Sequence, residues 1–98
     1  QLPAGFKKLH DALDGVRALA SYEPAVNRAN ALVWEQLEAL LAAPDGKHRA
    51  ALVRYAREHM TERACARVLR RLAKDPDMEV RRTVGKAVRK AAIQEVSL

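Results

Sequence analysis

Apolar residues recur along the first half of this chain at steps of three and four, which places them on one face of an α-helix. One stripe predicts a helix over residues 6–20, and another predicts a helix over 24–42 that opens with Pro24 in its first turn. A break near Asn30 stays open as an alternative, because the second helix is long. The apolar positions are Phe6, Leu9, Leu13, Val16 and Ala20, then Val26, Ala29, Val33, Leu37 and Leu40.

Three further stripes in the second half predict helices over residues 47–59, 62–73 and 78–92. Turn sequences precede the first and the last of these helices, and Thr61 and Asp77 are suited to accept hydrogen bonds from the free N–H groups at helix starts. The turns are Pro44-Asp45-Gly46 and Asp75-Pro76-Asp77. The positions on the side expected to be buried are Leu52, Tyr55, Ala56 and His59, then Cys65, Val68, Leu69 and Leu72, then Val80, Val84, Ala87, Val88 and Ala91.

The chain also repeats itself at a spacing of 32 residues. The superposed identical pairs are Leu37/Leu69, Leu40/Leu72, Pro44/Pro76, Asp45/Asp77, Arg49/Arg81 and Arg57/Arg89. A period between 20 and 50 residues is typical of stacked helical units, in which each hairpin buries its apolar stripe against a neighbour.

Residues 68–88 resemble a HEAT repeat of the short bacterial kind. In that family an apolar first helix ends in an Asp-Pro-Asp/Glu turn, and Val-Arg, here Val80-Arg81, opens an Ala-rich second helix. The apolar stripes predict an all-α fold of about five helices in a single domain, and the resemblance implies that they stack as antiparallel hairpins in a short α-solenoid. Its expected parts are a capping or degenerate segment (1–30), two HEAT-like hairpins (31–60 and 61–92) and a tail (93–98).

The amino-acid composition agrees with a helical fold and narrows the choice of cellular compartment. Nearly half of the residues are apolar, mostly Ala, Leu and Val, while Gly and Pro number four each. The single cysteine, Cys65, excludes an intrachain disulfide and fits a reducing compartment, and no apolar run reaches the roughly 18 residues of a membrane span. We therefore expect a cytoplasmic protein with no membrane partner. Because it starts at Gln1 without an initiator methionine, we also expect a domain cut from a longer protein.

Charge is concentrated in the second half, where residues 47–98 carry +8 against −2 for residues 1–46. In the last predicted helix several basic residues lie opposite the apolar stripe, and the 32-residue spacing gives the third helix matching ones. We predict a partner-binding basic face of Lys47, Arg54, Arg57, Arg82, Lys86 and Arg89. The alternative is a solvated face without a ligand, since Lys and Arg favour helices and must meet water. A second basic stripe, on the fourth helix, comprises Arg63, Arg67, Arg70 and Lys74.

Other polar and aromatic residues have structural interpretations. Arg49 and Arg81 lie at the edge of their apolar stripes, so we expect them to bridge to turn aspartates such as Asp45 and Asp77. Gly85, within the last helix, suggests a close contact with another helix. Single aromatics at helical spacing, such as Trp34, are expected in the core. No residues have the spacing of a catalytic, cofactor or metal site, so we expect neither an enzyme nor a cofactor.

Two functions are compatible with these sequence features. The first is a non-catalytic interaction or scaffold module that binds a partner protein or a neighbouring domain of its own chain. The second is a nucleic-acid-binding module in which the basic face contacts phosphates without reading bases. A short solenoid also exposes apolar ends, so a homo-oligomer formed through those ends is a further possibility.

Overall fold

A computed structural model of the chain describes residues 2–3, 5–18 and 23–96, with side chains left undescribed over 23–27 and 91–96. Over those residues the fold is all-α, as predicted, with five helices and no strand. The helices are α1 (Lys7–Ala18), α2 (Glu23–Leu41), α3 (Gly46–His59), α4 (Glu62–Leu72) and α5 (Met78–Val96). Of the predicted apolar positions, Ala20 and the side chains of Val26 and Ala91 lie outside the described part.

The helix starts in the second half agree with the predicted capping residues. Thr61 accepts a hydrogen bond from the Ala64 amide at 3.3 Å, and Asp77 accepts one from the Glu79 amide at 2.8 Å. The long α2 is continuous through Asn30, so the alternative of a break there is wrong. Helix α5 continues to Val96, through most of the segment expected to be a tail.

The chain divides into two compact units, residues 1–42 and residues 43–98. In the first unit α1 packs against α2, and Phe6, Leu9 and Leu37 are fully buried. Each belongs to a predicted stripe, which confirms the helical periodicity there. The expected segments 1–30, 31–60 and 61–92 follow the sequence repeat rather than these units, and that division stays a prediction.

In the second unit α3 packs against both α4 and α5. The large aliphatic side chains that are fully buried are Leu52, Val53, Val68 and Val80, and Leu72, Val84 and Ala87 are nearly so. Val53 was missing from the predicted stripes. Val88 was wrongly assigned to the core, because its side chain is 51% exposed. The core of this unit therefore holds α5 against α3 along Val80, Val84 and Ala87, and leaves the Val88 side of α5 open.

None of the five helices, over the residues described, is both long enough and apolar enough to cross a membrane. Cys65 on α4 is half-buried, and its pKa is raised because burial disfavours the thiolate, an effect that the nearby Arg57 partly opposes.

Candidate functional site

The 32-residue repeat reappears as duplicated hydrogen bonds in the second unit. Arg49 donates to the Ala43 carbonyl, six residues earlier, and Arg81 donates to the Asp75 carbonyl in the same way, each at 2.6 Å. The Lys47 amide donates to Asp45 at 2.9 Å, as the Glu79 amide does to Asp77 at 2.8 Å. The two turns and the helices that follow them are therefore built by one local pattern.

The two arginines differ in what else they bind. Arg49 also holds the carboxylate of Asp75 through two hydrogen bonds, from Nε at 2.7 Å and from its second terminal nitrogen at 3.0 Å. The side chains are 13% and 5% exposed, respectively. The structural role expected for Arg49 is thus present, but its partner is Asp75 and not Asp45 or Asp77. This ion pair ties α3 to the turn that precedes α5, and so fixes the spacing of the two helices.

The pKa of Asp75 is lowered, first by its hydrogen bonds from Arg49 and further by the Asp77 amide and the charge of Arg81. Burial acts in the opposite direction. The pKa of Arg49 is raised, chiefly by the same hydrogen bonds. The folded chain therefore stabilises the ionised form of both groups.

A pH dependence of stability follows from the lowered pKa of Asp75. Its ionised form is favoured by folding, so that stabilisation is complete above the unfolded pKa, about 3.9. It is lost as pH falls through the lower folded pKa. We expect the free energy of unfolding, measured in urea from pH 6 down, to decline below about pH 4. In Asp75→Asn the decline is shallower; parallel profiles for the two proteins would contradict this assignment.

A groove of about 560 Å³ lies between α3 and α5 in the second unit. Its floor includes Val53 and Ala87, and basic side chains line it from both helices. The basic residues are Arg54 and Arg57 from α3 and Arg82, Lys86 and Lys90 from α5. We call this the α3–α5 groove.

The α3–α5 groove brings together four of the six residues predicted for the basic face. These are Arg54, Arg57, Arg82 and Lys86. Lys47 and Arg89 are exposed but do not line the groove. Lys90 lines it and was missing from the prediction, although its position four residues after Lys86 placed it on the same helix face. Periodicity alone could have found it.

Arg57 has a structural role in addition to its charge. Its guanidinium donates to the Ala87 carbonyl at 2.6 Å, across the groove from α3 to α5. The side chain is half-buried, unlike the exposed Arg54, Arg82 and Lys86. A ligand in the groove would therefore meet four exposed cations, Lys90 included, in addition to Arg57, which already holds the helices together.

Two carboxylates, Glu58 and Glu79, also line the groove. The lining thus carries five basic groups against two acidic ones, which is positive but mixed. The Thr83 hydroxyl, also at the groove, donates to the Glu79 carbonyl at 2.8 Å and is committed to its own helix. The chemistry available there is charge pairing and hydrogen bonding, with a small apolar floor.

Two aromatic side chains lie outside the lining of the groove. Tyr55 is buried, with its ring 4.6 Å from that of His59, and Trp34 is half-buried, so neither is a free stacking surface. Among the described residues, no three His, Cys, Asp or Glu side chains are placed to share a metal ion.

In comparisons with known proteins, no family model, curated protein or solved structure matches the chain.

Proposed function

We propose that this chain is a non-catalytic interaction module of HEAT-like architecture, and that its α3–α5 groove docks an acidic segment of a partner protein or of a neighbouring domain. The observation that carries the proposal is the convergence of basic side chains from two helices on one groove. The duplicated turn contacts of Arg49 and Arg81 support the HEAT-like part, since they repeat at the period of the sequence. The proposed setting is the cytoplasm, where an unpaired Cys65 stays reduced.

The mixed charge of the groove favours a protein over a polyphosphate. Glu58 and Glu79 lie among the basic residues, and they repel the phosphates of a nucleic acid that runs along the groove. An acidic protein segment also carries N–H donors and basic side chains, and these two carboxylates can accept hydrogen bonds from them. A partner with both features matches the lining better than a uniformly negative one.

Nucleic acid is the second candidate, and the exposed side chains of Arg54, Arg82 and Lys86 favour it. Such cations bind phosphates without reading base sequence. This mode predicts a steep loss of affinity with salt, with a log–log slope of about 0.9 per phosphate contacted on a duplex.

The experiment compares binding of three fluorescent probes at about 50 and 200 mM salt. The probes are a Glu-rich helical peptide of about 20 residues with interspersed Lys, a duplex of about 20 base pairs, and a single strand of equal length. Two variants with the same change in net charge are matched. One is Arg54→Glu with Arg82→Glu and Lys86→Glu in the groove. The other, called the α4 variant, is Arg63→Glu with Arg70→Glu on α4 and Lys74→Glu in the turn that follows it.

We expect the peptide to bind the parent chain and the α4 variant, and to lose at least about tenfold in affinity for the groove variant. Equal losses in both variants would show that net charge alone attracts the peptide and would overturn the groove. Glu58→Gln with Glu79→Gln separates the two ligand classes. It weakens a mixed-charge peptide, whereas stronger duplex binding with a steep salt slope would put nucleic acid first.

A further inference from the structure

Helix α5 has a face that lies outside both the core and the α3–α5 groove. Met78, Arg81, Gly85 and Val88 recur along it at steps of three and four, so they share one side of the helix. Met78 is 62% exposed, Val88 is 51% exposed, and Arg81 is also exposed. We call these four residues the α5 stripe. It combines large apolar side chains with one cation and has no covering element among the described residues of its unit.

The repeat shows how such a face is covered elsewhere in the same unit. The residues of α3 that lie 32 positions earlier are Gly46, Arg49, Val53 and Ala56. All four are shielded: the Arg49 side chain is 13% exposed, Val53 and Ala56 are fully buried, and Gly46 is buried. Asp75 binds Arg49 and Asp77 packs against Gly46, so the turn of the α4–α5 hairpin covers the first part of the face. The equivalent face of α5 is open.

Arg81 is arranged as Arg49 is, except that no carboxylate among the described side chains pairs with it. One terminal nitrogen of each guanidinium donates to the carbonyl six residues earlier. Arg49 directs its Nε and its other terminal nitrogen to Asp75. The corresponding atoms of Arg81 contact no acceptor in the described part of the chain. The hydrogen bond to the Asp75 carbonyl holds the guanidinium of Arg81 in place. Its two remaining donor nitrogens are therefore positioned to bind a carboxylate through two hydrogen bonds.

We propose that the α5 stripe docks a helical hairpin of a partner, whose turn carries an Asp or Glu that pairs with Arg81 as Asp75 pairs with Arg49. The partner is acidic where it meets Arg81. It is not a second copy of this chain, because two chains of net charge +6 repel each other. Its side chains must also differ from those of the α4–α5 hairpin. Met78 stands where α3 has Gly46, and Gly85 stands where α3 has Val53, so the hairpin is small opposite Met78 and large opposite Gly85.

Space for such a hairpin exists at Gly85. A Cβ atom there would meet only the guanidinium of Arg89, at 3.5 Å, among the described atoms. The close helix contact predicted for Gly85 is therefore not found among the described residues. On the proposal, the missing side chain leaves room for the partner. The α5 stripe shares no residue with the α3–α5 groove, and the two are in contact at one point, where the guanidinium of Arg82 in the groove donates to the Met78 sulfur at 3.8 Å.

The test supplies a hairpin of known chemistry in the same chain. Residues 1–92 are joined to a second copy of residues 61–98, which reproduces the 32-residue spacing and keeps the hairpin at high effective concentration. The copy carries Asp77→Ser, so that it leaves room for Met78 and gives a tryptic peptide of different mass. The readout is the rate at which hydrogen peroxide oxidises Met78, measured by mass spectrometry with Met60 as the internal reference. A matched protein has Asp75→Asn in the copy, which keeps an acceptor for the turn and removes the charge.

We expect Met78 to be oxidised at least about tenfold more slowly in the extended protein than in the parent chain, with Met60 unchanged. The Asp75→Asn copy loses most of that protection. Equal Met78 rates in the extended and parent proteins would overturn the docking site, and full protection by the Asn copy would overturn the carboxylate as its recognition element. Protection of Met78 in the parent chain that rises with protein concentration, together with a dimer in sedimentation, would assign the stripe to a second copy instead.

Discussion

Replacing Arg49 with methionine is expected to lower the free energy of unfolding by about 3 to 5 kcal/mol. The substitution leaves the Asp75 carboxylate, 5% exposed, without its bidentate partner. It also leaves the Ala43 carbonyl without its donor. Such a loss is a large fraction of the stability of a small domain. Urea unfolding followed by circular dichroism measures it, while the fluorescence of Trp34 reports on the first unit.

The repeat provides a matched control in Arg81→Met. Arg81 makes the same hydrogen bond to a carbonyl, but it is exposed and binds no carboxylate in the described part of the chain. We expect this variant to lose only about 1 kcal/mol, the contribution of an ordinary hydrogen bond. Adding Asp75→Asn to Arg49→Met should recover part of the loss, because the buried charge is then removed. Equal losses for the two arginine variants would show that the Asp75 ion pair contributes no more than a surface contact.

Local patterns in the sequence predicted most of the helices and their starts. A side chain such as Thr61 or Asp77 caps the helix that follows it, so both partners lie within a few residues. Apolar periodicity likewise identified Leu52, Val68 and Val80 as core, because each lies near the centre of its stripe. These predictions needed no knowledge of how one helix packs on another.

Errors arose where packing between helices decides the outcome. Val88 follows Val84 by four residues and fits an apolar stripe, yet α3 covers only the side of α5 that carries Val80, Val84 and Ala87. Asp75 looked like a turn residue, and only the packing of its turn against α3 shows that it is the partner of Arg49. Helical periodicity gives the face of a residue, but not the neighbour that the face meets.

The prediction of the basic face was also only partly right. Four of its residues meet in the α3–α5 groove because α3 and α5 pack side by side, which the repeat had implied. The sequence could not show that Glu58 and Glu79 would line the same groove, and our proposal of a protein ligand in place of a polyphosphate is based on these two carboxylates. Helical periodicity thus predicted which face of each helix carries the basic residues, but it could not predict which residues of the two helices line the groove.

Gly46→Ala is expected to destabilise the protein by about 2 kcal/mol, although alanine favours a helix more than glycine does. Gly46 is buried at the first position of α3, and a Cβ there would overlap the carboxylate of Asp77, with Cγ only 2.8 Å away. Asp77 must then move, which breaks its hydrogen bond from the Glu79 amide at the start of α5. Thermal unfolding followed by circular dichroism measures the cost.

Gly15→Ala is the matched control, because a Cβ added at Gly15, inside α1, meets no atom within 4 Å among those described. There the ordinary preference for alanine applies, so we expect a gain of about 0.5 to 1 kcal/mol. Combining Gly46→Ala with Asp77→Ala removes the overlapping carboxylate, so the added methyl group should then cost little. A gain for Gly46→Ala equal to that for Gly15→Ala would mean that the two turns are not packed together at this point, and would also remove the structural precedent for docking on the α5 stripe.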